Sequence, residues 1–241
     1  MSADMIAGPL TGPMTGLMIG STVGCAIACI VLVIAEARGP RGLRIAAKLV
    51  ASAAFVALGV VAYRGRAGSF PEAVQLGHAI VTGLVLGAVG DACLLAAGKR
   101  WFLAGLVAFL LGHLCYVAGI AMIEPAQDWW ADAGWLALIP VAIGVAVALQ
   151  LWPRLGAMKL PVAGYVVTIC AMVIAAIAAA RGAPLPVANR LRLVVGASLF
   201  FASDLSVARD RFVAKSFANK LWGLPAYYAG QLLIAWTLVG I

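Results

Sequence analysis

Two aspartates stand where an ionised group is costly. Asp91 lies in "GAVGDACLLA" (87 to 96) and Asp204 in "GASLFFASDLSVARDRF" (196 to 212), both inside runs that otherwise read as lipid-buried helix. A charge at bilayer depth costs at least about 2.5 to 3.5 kcal/mol, so such a residue faces a bundle interior or a wet cavity and finds partners there. Two carboxyl groups in one apolar setting can do acid–base chemistry, one keeping its proton and the other ionised beside a cation or hydrogen-bond donors. Lys48 is the candidate cation. The other polar groups within apolar runs are His113, Tyr116, Tyr165, Ser203, Tyr227, Tyr228 and Gln231. His113 with Tyr116, and Tyr228 with Gln231, stand three residues apart and so share a helix face.

The elements that must position these groups are transmembrane helices. The chain has 241 residues, 64% of them apolar and 11% charged, a composition outside the soluble globular range. It therefore reads as a single transmembrane domain over 1–241. About 20 apolar residues cross the hydrocarbon core as a helix, and eight runs qualify. They lie near 15 to 36, 43 to 63, 76 to 97, 101 to 122, 133 to 152, 158 to 180, 190 to 208 and 222 to 240, punctuated by "RGPRG", "GRAGSFP", "EPAQDWWADAG" and "RGAPLP". The opening "MSADMIAGPLTGPMTG" lacks the basic region of a secretory signal and reads as a short mature tail.

Charge orients the bundle. The connections after spans 1, 3, 5 and 7 hold twelve Lys and Arg and the others five, which places both termini outside. Trp129, Trp130 and Trp135 then mark the outer interface and Trp101 and Trp222 the inner one. In this frame both aspartates and Lys48 fall in the cytoplasmic half at similar depth, with His113 near the midplane. The net charge of +8 is spread over loops, so no nucleic-acid partner is expected. The five cysteines fall in apolar runs and read as small reduced hydrophobes. With His78 and His113 on opposite sides, no metal site and no cofactor is expected. The glycine spacings "GSTVG" (20 to 24) and "GLVLG" (83 to 87) read as close helix packing. "GAVGDACLLA" and "ASLFFASDLSVA" are four spans apart with Asp at like depth, which fits a 4+4 tandem repeat.

"GDACLL" followed by "FLAGLVAFLLGHLCY", then "PVAGY", "GASLFFASDLSVARDRF" and "YYAGQLLIA", resembles the ordered motifs of the YhhN-type lysoplasmalogenase family. Lys48 departs from that pattern, being followed by Leu49 where the family usually has Lys-Pro. The resemblance implies an all-α bundle of eight spans, a multi-pass protein of the cell membrane, in bacteria the inner membrane. It also implies a hydrolase that cleaves the vinyl ether bond of a lysoplasmalogen to a fatty aldehyde and glycerophosphoethanolamine or glycerophosphocholine. Asp91 and Asp204 are then the catalytic residues, with Asp91 expected as proton donor and Asp204 as base or electrostatic stabiliser. Lys48, His113, Tyr116, Tyr165, Ser203, Tyr227, Tyr228 and Gln231 become substrate contacts, and Lys159, Arg209, Arg211 or Lys215 would meet the phosphate. The rival from another class is a proton-coupled transporter using the same acids as a relay.

Overall fold

The computed structural model describes residues 12–65 and 71–241, and among them every regular element is helical. The opening tail through residue 11, and residues 66–70 of "GRAGSFP" with Arg66, lie outside the described residues. The elements are α1 (Pro13–Arg38), α2 (Arg41–Arg64), α3 (Pro71–Leu95), α4 (Lys99–Ile123), α5 (Trp129–Ala133), α6 (Leu138–Leu151), α7 (Lys159–Ala179), α8 (Val187–Phe212) and α9 (Phe217–Trp236). Apolar runs of this length must be helical in lipid, because each backbone N–H and C=O has to find its partner within the segment.

Seven helical segments among the described residues are long and apolar enough to cross a membrane: α1 to α4, α5 with α6 as Trp129–Arg154, α7 with its lead-in as Gly156–Ala179, and α8. The eighth expected span, α9, has 20 residues but is not among them; it carries Asn219, Lys220, Gln231 and an internal Pro225. Its surroundings explain its polarity. Hairpins α1–α2, α3–α4 and α8–α9 are the tightest pairs, and α9 also packs on α1, α2 and α3, so protein rather than lipid covers much of it. Helices at the rim instead present Ile27, Ile34, Leu149, Leu160 and Val167 outward, an apolar surface suited to lipid.

Three expected boundaries shift. The fifth run begins at Trp129 and breaks at Gly134, whose φ of 56° is open to glycine at no steric cost, before α6 resumes after a short 3-10 turn. The eighth begins at Phe217, where the Ser216 hydroxyl accepts from the Ala218 N–H at 3.2 Å and caps the helix. α8 runs on to Phe212, so Asp204 is the eighth residue before its end while Asp91 is the fourth before the end of α3. Gly20 and Gly24 meet nothing, so "GSTVG" is not a packing motif. Gly83 and Gly87 are: a Cβ on Gly83 would enter the Tyr116 ring, and one on Gly87 would stand 2.5 Å from Gln231 Nε2. At the α8–α9 contact, a Cβ on Gly230 would come 2.9 Å from the Gly196 carbonyl oxygen.

Trp101, Trp130, Trp135 and Trp222 are exposed near helix ends, but Trp129 is half-buried and donates its indole N–H to the Glu124 carbonyl at 2.8 Å. The cysteines are free; Cys25, Cys29 and Cys170 are buried.

Candidate functional site

Asp91 is 1% exposed and fully compensated. Lys48 Nζ lies 2.7 Å from its Oδ1, and the Ser52 hydroxyl donates to its Oδ2 at 2.7 Å. Lys48 and Ser52 are one helical turn apart on α2, so a single face brings both to the acid. Ser52 was not among the expected residues, although its spacing from Lys48 is the signal that would have found it. A carboxylate with an ammonium and a hydroxyl donor in place has the partners that a buried charge needs.

Asp204 sits in a different setting. The Tyr165 hydroxyl donates to its Oδ2 at 2.8 Å, and His113 Nε2 stands 3.5 Å from the same oxygen. His113 Nδ1 is 2.7 Å from the Phe109 carbonyl, which can only accept, so Nδ1 carries a proton. In the neutral ring Nε2 is then a lone pair near the carboxyl, and among the described residues no other polar partner reaches it. The rings of Phe200 and Tyr165 enclose the imidazole at 4.4 and 5.3 Å. One proton between Asp204 and His113 leaves the cluster either a neutral acid with neutral base or an ion pair. Neither Lys48 nor any other ammonium or guanidinium bonds to Asp204 among the described residues.

A third layer braces the first two. The Tyr116 hydroxyl donates to Gln231 Oε1 at 2.7 Å, and Gln231 Nε2 donates to the Tyr227 hydroxyl at 3.3 Å. Gly87 makes room for this relay on α3. Phe200 packs edge-on to Tyr227 at 5.2 Å, and Phe55 lies against Tyr227 and Tyr228 at 6.0 and 6.2 Å.

A cavity of about 650 Å³ joins the two acids. Lys48, Asp91, Tyr165, Ser203, Asp204 and Tyr227 all line it. His113, Tyr116, Tyr228 and Gln231 do not; they are buried behind it and hold or polarise the residues that do. The cavity opens where α1, α3, α8 and α9 end or begin, among Glu36, Asp210, Arg211, Lys215 and Lys220. Its lining on α6 and α7 is apolar apart from Tyr165, with Leu151, Val147 and Gly144 on α6 and Val162, Val166 and Ile169 on α7. Of the expected phosphate contacts, Arg211 and Lys215 reach the mouth. Arg209 does not line it, and Lys159 instead lies 5.1 Å over the Trp152 ring. Glu36 and Lys220, which pair at 2.5 Å, were not foreseen at the site, since nothing local in sequence links α1 to α9.

The sequence matches the YhhN family over residues 43–238. This chain belongs to the YhhN family. Among its YhhN-type relatives, a Mycobacterium bovis protein named lysoplasmalogenase is 35% identical over 163 residues, covering 64% of this chain and 58% of that protein. The human lysoplasmalogenase TMEM86B is 35% identical over 153 residues, 63% of this chain and 59% of its own. An Escherichia coli O6:H1 membrane protein named YhhN is 26% identical over 163 residues, 68% of this chain and 75% of its own. The matched part thus spans less than two thirds of both lysoplasmalogenases. No solved structure matches the chain.

Proposed function

We propose that this YhhN-family protein is a multi-pass membrane hydrolase that cleaves the vinyl ether bond of a lysoplasmalogen, with Asp204 as proton donor and Asp91 as base. The supporting observation is what one cavity brings together: a charged mouth, two carboxyl groups about 6 to 12 Å in by helical rise, and an apolar lining on α6 and α7 over the same depths. A single-chain phospholipid carries the matching chemistry: a phosphate, a glycerol with its ether oxygen, and a hydrocarbon chain. The relatives' name, lysoplasmalogenase, points to the same class.

The acid roles follow from charge compensation and reverse the sequence-based expectation. Asp91 has Lys48 and Ser52 on its two oxygens and is held as a carboxylate. Among the described residues Asp204 has only a hydroxyl and an imidazole lone pair, which favour a protonated carboxyl donating toward His113 Nε2. In the reaction Asp204 gives this proton to the alkene carbon remote from oxygen. Tyr165 then hydrogen-bonds the carboxylate so formed, and the adjacent carbon becomes an oxocarbenium ion. Water adds to that carbon as Asp91 takes its proton, giving a hemiacetal. Asp91 returns the proton to the departing glycerol oxygen, the C–O bond breaks, and the hemiacetal hydroxyl proton restores Asp204. The products are an aldehyde and a glycerophospho head group, and both acids end as they began. Such use of two carboxyl groups parallels glycoside cleavage.

The same reading takes α9 as an eighth span, both termini outside, and the Asp-centred echo between α3 and α8 as a 4+4 repeat. Incubating detergent-purified protein with an alkenyl lysophospholipid and assaying free aldehyde tests the activity; Asp91→Asn and Asp204→Asn are each expected to abolish release while the protein stays monodisperse. Full activity in either variant refutes the carboxylate pair, and lipid-driven flux in proteoliposomes without aldehyde would assign the acids to a carrier.

A further inference from the structure

The mouth of the cavity holds five charged side chains, Glu36, Asp210, Arg211, Lys215 and Lys220. Two of them cancel. Glu36 pairs with Lys220 at 2.5 Å and reaches Arg44 at 3.7 Å, which ties α1 to α9 and α2. The other three have no ion-pair partner among the described residues. Arg211 lies with its guanidinium carbon 4.3 Å over the Phe102 ring, a stacking that fixes the group yet leaves its N–H donors free for an oxyanion. Asp210 uses one oxygen structurally: Oδ1 accepts from the Ser216 N–H at 3.0 Å and from Asn219 Nδ2 at 3.2 Å, holding the turn into α9. Its Oδ2 makes no hydrogen bond among the described residues and belongs to a residue lining the cavity.

We propose that these three residues form a zwitterion site, in which Arg211 and Lys215 take the phosphate of a phospholipid head group and Asp210 Oδ2 takes its ammonium. This rests on the reading above only in assuming that the ligand is a single-chain phospholipid. Two unpaired cations would suit any phosphodiester. The unpaired carboxylate beside them is what discriminates, because it attracts a head group bearing an amine and repels one that carries only the phosphate charge. A residue present solely to hold the turn into α9 needs one acceptor oxygen and no charge, since asparagine supplies the same Oδ1.

Binding can be measured without catalysis by using saturated alkyl-ether lysophospholipids, which lack the vinyl ether, with either an ethanolamine or a glycerol head group. Titrations of the detergent-solubilised full chain are expected to show tighter binding of the ethanolamine lipid. Asp210→Asn keeps the Oδ1 acceptor and is expected to weaken ethanolamine-lipid binding about two- to fivefold more than glycerol-lipid binding, the scale of a partly exposed ion pair. Arg211→Gln with Lys215→Gln is expected to weaken both lipids by a similar factor. Equal affinities for the two lipids in the wild type, or an equal change for both in Asp210→Asn, would overturn the proposal and leave Asp210 as a brace of the turn into α9. Preserved head-group discrimination with no aldehyde from the alkenyl lipid would sink the hydrolase reading while supporting this site.

Discussion

Replacing Lys48 with methionine removes the counter-ion of Asp91 while preserving the volume of the stem. At 2.7 Å and an effective dielectric of about 20, the Coulomb attraction is about 6 kcal/mol before desolvation is subtracted. Asp91 is 2% exposed in its side chain and Lys48 13%, so neither recovers full hydration once its partner is gone. Removing one member of such a pair costs about 3 to 5 kcal/mol, because the other stays buried and unpaired. For a chain of this size that is a fall in melting temperature of roughly 10 °C. Asp91→Asn is expected to cost less, since Lys48 is the more exposed partner and its ammonium can reach toward water. The double variant Lys48→Met, Asp91→Asn has no buried charge and is expected to melt close to the wild type. The coupling in this cycle should therefore be about 2 kcal/mol or more, read by scanning fluorimetry in one detergent. A coupling below about 0.5 kcal/mol, or Lys48→Met with an unchanged melting point and full aldehyde release, would falsify the view that Lys48 holds Asp91 as its carboxylate.

Tyr165→Phe removes the only hydroxyl donor to Asp204 among the described residues and is expected to lower kcat about ten- to a hundredfold with little change in KM, as suits a bond to a carboxylate formed in the reaction; an unchanged kcat excludes that role. At the opposite end of the bundle, burial first, and then the hydrogen bond and charge of Asp132 with Asp128 nearby, push Glu124 up from its ordinary 4.5 to about 7. An acid with a folded value above its unfolded one binds more protons when folded, so its contribution makes stability fall as pH rises from about 4.5 to about 7 and level off above. Glu124→Gln is expected to flatten the melting-point profile in that window and to melt above the wild type at pH 8. A topology reporter fused after Ile241 should act on the outer side of the membrane; a reporter active only inside would invert the orientation.

Much of the architecture was legible in composition. Long apolar runs leave a backbone no choice but helix, and Lys48, Asp91 and Asp204 stood out because charge in such runs must be compensated. Less legible were α9, whose polarity is explained by neighbours distant in sequence, and Ser52, whose hydroxyl matters only because α3 brings Asp91 against it. Glu36 and Lys220 stand 184 residues apart and meet only when α1 packs on α9.

By itself the sequence determined that the protein is a helical membrane bundle of the YhhN type with two acids inside it, since these are properties of residue type and local spacing. Only the tertiary structure decided which acid has the cation. Lys48 was level with both aspartates in the one-dimensional reading, yet α2 packs on α3 and delivers it to Asp91, while α4 and α7 bring His113 and Tyr165 to Asp204. Depth along a helix can be counted from residues, but the direction a side chain faces across a bundle depends on which helices pack together. That pairing gives one of two like carboxyl groups an ammonium and a serine hydroxyl, and the other a phenol and an imidazole.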